Sequence, residues 1–272
     1  MSTIKTEDGS ELYFEFYEGD HNAPTLIFIH GWCSNLNDWK FQKSEFVNNH
    51  PLLLIDRRGH GRSTSSGIPH STHQHASDFF LIAKELGIED AITICHAGGT
   101  PGALRFVAEH PGHSKALIIV DSSPTAAANL KTPTRQPDLA YRSFRDIILD
   151  DEHEKNFQEL YKSFFEKNAD ASMVMEVVEQ AVKTPIKVRL SEIENMAENQ
   201  LETSNSITQP VLVIASPWMD NISSSFVDLN HLKLCFNDVQ LARPIGCGHF
   251  PQMEVPNQVN AFIKDFLTNL IA

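Results

Sequence analysis

The stretch Ile92–Gly102 reads I-T-I-C-H-A-G-G-T-P-G, where an apolar run breaks into glycines before an apolar-periodic segment begins. This order predicts a buried strand, a sharp turn and a helix. A strained turn at such a place lifts one side chain above the end of a sheet, where it can face a ligand. The residues two positions before and two positions after that side chain must be small, because strand and helix approach closely there.

This steric requirement separates the possible positions of the apex of the turn. With Ala97 at the apex, the flanking residues are Cys95 and Gly99, which are both small. An apex at His96 would be flanked by the bulky Ile94, and an apex at Cys95 gives a tolerable but poorer fit. We therefore expect Ala97 at the apex. Cys95 is the alternative, and an ordinary turn without a site is the third reading.

Continuous apolar runs recur along the chain between helix-periodic segments. They occupy 25–30, 51–56, 92–95, 116–121 and 211–215. Strands that are apolar throughout are typical of a parallel sheet covered by helices on both faces. The sequence therefore predicts an α/β fold, with an edge strand at 10–17, a last strand at 239–246 and a closing helix at 256–270.

The strand signal disappears between Ser122 and about Gln209. Charged, helix-periodic sequence takes its place, for example H-E-K-N-F-Q-E-L-Y-K-S-F-F from His153. We expect this segment, 122–209, to be a helical cap inserted into a core domain formed by 1–121 and 210–272. A chain of 272 residues with 41% hydrophobic content can bury a core of that size.

Charge and cysteine content limit the partners and the compartment. The formal net charge of -13 argues against nucleic acid or an anionic membrane surface as a partner, since both attract basic patches. No apolar run approaches the length that spans a bilayer. The four cysteines are scattered without a C-x-x-C pair, and the chain opens on polar M-S-T-I-K-T. We expect free thiols and a cytoplasmic location.

A histidine and an aspartate are the candidates for acid–base chemistry. His249 lies in G-C-G-H-F-P after the last predicted strand, and loops at the carboxyl ends of parallel strands gather over the ligand crevice. Asp121 closes the strand at 116–121, whereas Asp220 follows the strand at 211–215 in an irregular loop. We expect His249 to be a general base with Asp121, rather than Asp220, as its partner.

Two further motifs surround this predicted site. The stretch H-G-W at 30–32 and the residue after the apex, Gly98, are expected to supply backbone amides that bind an oxyanion. Trp32 is alternatively a plain core anchor. The loop D-R-R-G-H-G-R-S at 56–63 is expected to hold structural hydrogen bonds through Asp56, Arg57 and His60 rather than catalysts.

Outside the cap, these motifs together resemble proteins of the α/β-hydrolase fold, whose elbow usually reads G-x-S-x-G. Laid on the segment G-H-S-x-G-G without a gap, the serine falls on Ala97. Within that superfamily the chain is most similar to the cofactor-independent 3-hydroxy-4(1H)-quinolone 2,4-dioxygenases. The similarity rests on G-W-C at 31–33, His96 before the apex, Asp121 after I-I-V, and the loop near Ser216.

That family acts through a histidine–aspartate dyad and needs no nucleophilic serine, so alanine at the apex is compatible with it and unfavourable for ester hydrolysis. The resemblance implies that His249 takes the 3-hydroxyl proton of a 2-alkyl-type quinolone while Asp121 orients the imidazole. Dioxygen then adds, and carbon monoxide and an N-acylanthranilate are released. The implied partners are a small aromatic heterocyclic substrate and O2, with no metal and no other cofactor. The residues expected to contact the substrate are Trp32, His96, Ala97 and Gly98.

The sequence leaves alternatives open. Ser34 stands where some relatives carry a histidine, which leaves the exact substrate undecided. A hydrolase acting on an ester or lactone with Cys95 as nucleophile is one rival. A ligand-binding protein that kept the pocket and lost catalysis is another, although the presence of both His249 and Asp121 argues against it.

Overall fold

The computed structural model describes residues 2–67, 70–124, 139–221 and 229–271. Within them, eight strands form a single sheet. They are Ser2–Lys5 (β1), Glu11–Tyr17 (β2), Leu26–Ile29 (β3), Leu52–Ile55 (β4), Ala91–His96 (β5), Ser114–Val120 (β6), Val211–Ile214 (β7) and Val239–Ala242 (β8). Their spatial order is β1-β2-β4-β3-β5-β6-β7-β8.

The sheet is mostly parallel. Only the pairs β1–β2 and β2–β4 are antiparallel, and every pair from β4 to β8 is parallel. Strands β3, β4, β5 and β7 are buried at every residue, as their apolar sequences require. The predicted α/β class with a largely parallel sheet is therefore confirmed.

The strand predicted at 10–17 is present as β2, but its predicted position at the edge of the sheet was wrong. Strand β2 lies between β1 and β4, with Ser2 paired to Phe14 on one side and Phe14 paired to Ile55 on the other. The true edge, β1, is a short strand of sequence S-T-I-K in which three of the four residues are exposed. A strand with so little buried surface carries no apolar pattern, so sequence patterning could not reveal β1.

Twelve helices are present among the described residues. They are Lys40–Phe46 (α1), Thr72–Glu85 (α2), Thr100–Glu109 (α3), Leu139–Leu149 (α4), His153–Lys162 (α5), Ala171–Ala181 (α6), Ile186–Met196 (α7), Leu201–Ser206 (α8), Trp218–Asn221 (α9), Leu229–Cys235 (α10), Pro251–Glu254 (α11) and Pro256–Ile271 (α12). None of these helices is both long enough and apolar enough to cross a membrane.

Helices cover both faces of the sheet. One apolar cluster joins Ile27 of β3 to Phe79 of α2 and Phe106 of α3. The opposite cluster joins Phe28 of β3 to Val259 of α12. Successive residues of one strand point to opposite faces, so each apolar strand supplies both cores.

Helices α4 to α8 lie between β6 and β7, within the segment for which the sequence predicts a cap. Residues 125–138 of that segment lie outside the described residues. A third apolar cluster packs the helices against loops of the sheet domain, for example Phe157 and Tyr161 of α5 against Trp32 and Phe250. The cap helices therefore rest on the same end of the sheet from which the predicted site residues emerge.

Candidate active site

The turn after β5 has the strained geometry that the sequence predicts. Ala97 adopts a φ of +43°, a left-handed conformation that is uncommon for a residue other than glycine. Its neighbours Cys95, His96 and Gly98 are buried, whereas Ala97 is partly exposed. A side chain at Gly99 would collide with the carbonyl oxygen of His30. The turn thus presents a methyl group at the position from which an elbow displays its nucleophile.

The alternative apex at Cys95 is contradicted. Cys95 is fully buried in β5, and its Sγ contacts Oγ1 of Thr100 at 3.6 Å and the carbonyl oxygen of Ile118 at 3.7 Å. Burial raises the pKa of the Cys95 thiol to about 12. The thiolate is the reactive form, so a neutral, enclosed thiol on the core side of the strand cannot serve as the nucleophile of a hydrolase.

The structure brings His249 and Asp121 together. Nδ1 of His249 lies 2.6 Å from Oδ2 of Asp121, and Oδ1 of Asp121 accepts a hydrogen bond from the backbone N–H of Ser216 at 2.6 Å. Asp121 directly follows β6 at a φ of +51°, a conformation that aspartate tolerates better than most residues. A carboxylate only accepts hydrogen bonds, so Nδ1 carries the proton and Nε2 keeps a free electron pair for a substrate.

Asp220, the competing acid, lies elsewhere. Its carboxylate is paired with Arg243 at 3.1 Å, and both side chains are about one-third exposed. This surface ion pair gives Asp220 no contact with His249.

Aromatic rings hold the imidazole of His249 from two sides. The indole of Trp218 stacks on it with ring centres 3.9 Å apart and an interplanar angle of 28°, and Phe164 of the cap meets it edge-on at 5.4 Å. The backbone N–H of His249 donates to the carbonyl oxygen of Phe164 at 2.6 Å. Sequence reasoning missed both partners. Trp218 lies in the stretch predicted as an irregular loop after the strand at 211–215, where no sequence pattern indicates a contact with His249.

His96 has a different place from the one predicted. It was expected to contact the substrate, but its side chain is 1% exposed and its Nε2 donates to the carbonyl oxygen of His249 at 2.8 Å. Burial holds the pKa of His96 well below the usual value, so its ring is neutral. His96 therefore stabilises the loop that carries His249.

The backbones of Trp32 and Gly98 meet beside the apex. A Cβ built on Gly98 would lie 3.0 Å from the backbone nitrogen of Trp32 and 2.9 Å from its Cβ. Gly98 also lies at the start of the helical turn that leads into α3, where backbone N–H groups lack partners within the helix. The two residues whose backbone amides the sequence predicts as oxyanion donors are therefore neighbours.

The Trp32 side chain acts as an anchor within the cap. It is 6% exposed, stacks on Phe144 at 5.6 Å and donates through Nε1 to the carbonyl oxygen of Arg189 at 3.0 Å. The ring therefore fixes the loop against the cap, as expected of a core anchor.

A model of the α/β hydrolase fold matches residues 24–256. The chain belongs to the α/β-hydrolase fold family. A non-heme chloroperoxidase of Burkholderia pyrrocinia is 27% identical over 225 residues, which cover 79% of this chain and 81% of the relative. A bifunctional esterase/perhydrolase of Acinetobacter calcoaceticus is 29% identical over 150 residues, 54% of this chain and 53% of its own length.

Solved structures of the α/β-hydrolase fold agree in shape at low identity. An enol-lactonase from Burkholderia xenovorans LB400 superimposes with a TM-score of 0.85 over 98% of this chain and 100% of its own, at 16% identity. Est816, described as an N-acyl homoserine lactone degrading enzyme, gives a TM-score of 0.78 at 20% identity, over 97% of this chain and 100% of its own. At this identity the likeness supports the fold alone.

Elsewhere in this hydrolase fold, one group of described side chains has metal-ligand character. Ligand atoms of His70, His75 and Glu192 lie within 4.8 Å of one another, and all three residues are buried. The guanidinium of Arg57 forms an ion pair with Glu192 and lies 3.3 Å from Nε2 of His75. A cation therefore already balances the carboxylate. These four residues are referred to below as the Glu192 cluster.

The loop motif at 56–63 also behaves as predicted. Asp56 accepts hydrogen bonds from the backbone N–H groups of Leu36 and Arg62, each at 2.8 Å, and His60 contacts the carbonyl oxygen of Arg58 at 2.9 Å. Asp56 and His60 therefore have structural roles. Arg57 also holds structural hydrogen bonds, and its NH1 donates to the carbonyl oxygen of Gly31 at 3.2 Å.

Asp38 is a further buried carboxyl group, in the short 3-10 helix Leu36–Trp39 that follows the Trp32 loop. It is 1% exposed, and its Oδ2 has no hydrogen-bond partner among the described residues. Burial raises its pKa to about 7. Its surroundings differ from those of Asp121, both of whose oxygens are satisfied.

Proposed function

We propose that this chain is a cofactor-independent dioxygenase that cleaves the heterocyclic ring of a 2-alkyl-type 3-hydroxy-4(1H)-quinolone. One observation carries the proposal. The elbow keeps its strained geometry with alanine at the apex, φ +43°, while the His249–Asp121 pair remains intact at 2.6 Å. A site without an apex nucleophile cannot form an acyl-enzyme, but a base beside two backbone donors can remove a proton and hold the resulting anion.

The chemistry follows from that arrangement. Nε2 of His249 takes the 3-hydroxyl proton, and Asp121 stabilises the imidazolium that forms. The backbone amides of Trp32 and Gly98 hold the oxygen of the anion. The electron-rich ring then reduces O2, which becomes bonded to C2 and C4. The O–O, C2–C3 and C3–C4 bonds break, C3 leaves with its oxygen as carbon monoxide, and both atoms of O2 remain in the N-acylanthranilate.

The cap supports this assignment through its apolar character. The cluster that faces the site loops contains Trp32, Phe157, Tyr161, Phe164 and Phe250, all at most 6% exposed. Such a packed apolar cover limits access of water to the anion, which favours electrostatic stabilisation by the two amides. The alkyl substituent at C2 would lie against this cluster.

Hydrolysis is the second candidate, and the names of relatives favour it. The Acinetobacter relative is called an esterase/perhydrolase, and a similar solved structure is an enol-lactonase. In this chain hydrolysis would require His249 to activate water directly, because Ala97 offers no hydroxyl and Cys95 is enclosed in the core. A pocket that binds without turnover is the third outcome to be separated.

Oxygen uptake and carbon monoxide release test the assignment. Purified protein would be mixed with a series of 2-alkyl-3-hydroxy-4-quinolones in metal-free buffer, with His249→Ala as the matched control. We expect stoichiometric consumption of O2 and formation of CO in the wild type only. The same preparations would be given ester and lactone substrates without oxygen. Hydrolysis there, with no CO from any quinolone, would replace the dioxygenase by a hydrolase, and binding without either reaction would indicate a ligand-binding protein.

A further inference from the structure

Helix α7 of the cap lies directly against the two loops that supply the oxyanion donors. The carbonyl oxygen of Arg189, on α7, accepts the indole N–H of Trp32 at 3.0 Å. At the end of the same helix, Sδ of Met196 lies 2.8 Å from the position of a Cβ built on Gly98. Both donor residues therefore touch one cap helix.

The Glu192 cluster is the third contact of α7, and it is the most deeply buried. Glu192 is 0% exposed, forms an ion pair with Arg57, and accepts hydrogen bonds from Nε2 of His75 at 2.8 Å and Nδ1 of His70 at 3.1 Å. Burial alone would raise the pKa of Glu192, but Arg57 and His75 hold it well below its usual value. An ionised carboxylate at such depth requires its cationic partner, which fixes the position of the Arg57 guanidinium.

Arg57 also contacts residues 30–32, which are called the oxyanion loop below. Its second terminal nitrogen, NH1, donates to the carbonyl oxygen of Gly31 at 3.2 Å, and Nδ1 of His30 donates to the same oxygen at 2.8 Å. In a trans peptide the carbonyl oxygen and the following N–H point in opposite directions. Two donors on the Gly31 oxygen therefore turn the N–H of Trp32 the other way, toward Gly98.

We propose that Glu192 and Arg57 are positioning residues that set the orientation of the Gly31–Trp32 peptide and so make the oxyanion hole depend on the seating of cap helix α7. This inference rests on the proposed function for the identity of the anion that the hole binds. With helix α7 seated as in the structure, Glu192 pairs with Arg57, and Arg57 aligns the Gly31–Trp32 peptide. The consequence is that anion stabilisation is complete only when the cap is in place.

Arg57→Lys tests the arrangement, with Arg58→Lys as a matched control. A lysine has a single ammonium group, which cannot replace a guanidinium that bonds Glu192 through one nitrogen and Gly31 through another. Arg58 is the next residue, is equally buried, and pairs with Asp78 at 2.7 Å, but its hydrogen bonds do not reach the oxyanion loop. We expect Arg57→Lys to lower kcat by about tenfold or more with KM changed less than about threefold, the pattern of a lost transition-state donor. Arg58→Lys should leave both unchanged.

A crystal structure of Arg57→Lys supplies a readout that needs no substrate. The expected result is a Gly31–Trp32 peptide rotated away from its position in the wild type, with the fold intact. An unchanged peptide together with unchanged kcat would overturn the proposal while leaving quinolone turnover by the wild type untouched. Absence of that turnover in the wild type would reject the proposed function, and the peptide orientation would still decide the present inference.

Glu192→Gln is the second variant, in case the lysine destabilises the loop. Glutamine keeps an acceptor oxygen for His75 but removes the charge that holds Arg57, so we expect the same kcat loss and the same peptide movement as in Arg57→Lys. Zinc analysis of the wild type provides a further check. A stoichiometric metal ion bound by His70, His75 and Glu192 would displace Arg57 from the carboxylate and overturn the proposal; a metal content near zero supports it.

Discussion

The elbow and the acid–base pair lie at the same end of the sheet, but only the acid–base pair carries reactive groups. The elbow retains its shape, with Ala97 at φ +43°, and lacks a reactive group. The acid–base pair retains both its geometry and its reactive atoms, with His249 bonded to Asp121 at 2.6 Å and Asp121 held by Ser216. The difference shows that the strained turn and the histidine–aspartate pair do not depend on a nucleophile at the apex.

Among the variants that test this comparison, removal of the His249 imidazole should lower turnover most. We predict that His249→Ala lowers turnover of the quinolone by about 10² or more, the usual scale for a general base, with little change in stability because the residue lies on a loop. The loss should shrink as pH rises, since hydroxide then ionises the substrate in solution. Rates measured from neutral to alkaline pH test this, and full activity of the variant at neutral pH would remove His249 from the mechanism.

Removing the carboxylate of Asp121 should lower kcat less than removing His249, but much more than removing the carboxylate of Asp220. We predict a loss of about tenfold to 10² in kcat for Asp121→Ala, because the carboxylate fixes the tautomer of His249 and stabilises its positive charge. Asp220→Ala should be nearly silent, since Asp220 is engaged with Arg243 in a surface ion pair. Steady-state kinetics of both variants decide the matter. A large loss confined to Asp220→Ala would reverse the assignment.

Placing a hydroxyl at the apex of the elbow should change the catalytic activity little. We predict that Ala97→Ser keeps oxygenase activity within about an order of magnitude and adds little esterase activity, because one serine does not restore the whole transition-state geometry. Cys95→Ala is the matched control on the core side of the same strand, and it should leave catalysis unchanged.

Oxygen uptake and ester cleavage by both variants measure this directly. Strong ester hydrolysis by the wild type that Cys95→Ala abolishes, and that does not depend on oxygen, would contradict both the enclosed thiol and the dioxygenase assignment.

The smallest effect concerns a carboxyl group that has no donor for one of its oxygens. Asp38 has a pKa of about 7, raised by burial from 3.8. Its neutral form is therefore favoured on folding, and that stability is fully present below about pH 4 and is lost as pH rises through about 7. We predict that the free energy of unfolding of Asp38→Asn at pH 8 exceeds that of the wild type by about 1 to 3 kcal/mol. This margin should narrow toward pH 4.

Denaturant titrations at several pH values measure this margin, and Asp220→Asn is a suitable exposed control. A margin that does not depend on pH would mean that Asp38 does not titrate in this range.

The parts of the site that follow from local rules could be predicted. The demand for small residues around a strained apex selected Ala97, and the meeting of strand ends at one edge selected Asp121 and His249. Both rules depend only on residues close in sequence and on the parallel order of the strands.

The remaining parts depend on packing between distant segments. Trp218 reaches His249, and Glu192 reaches Arg57 from a cap helix 135 positions away. No periodicity marks such contacts. His96 shows a related limit, since the residue before the apex could point to the pocket or beneath it, and only the bond to the His249 carbonyl settles its direction. Strand β1 was missed because a polar edge strand buries almost nothing.

The burial of the four cysteines has a consequence for the proposed oxygen chemistry. Cys33, Cys95, Cys235 and Cys247 are all unpaired and buried, and burial raises the pKa of each thiol. Peroxides attack the thiolate far faster than the thiol, and they require access to the sulfur. Under the proposed function, peroxide that escapes from an incomplete reaction would therefore meet no cysteine thiol at the surface. We expect none of the four cysteines to be a site of oxidative inactivation during turnover.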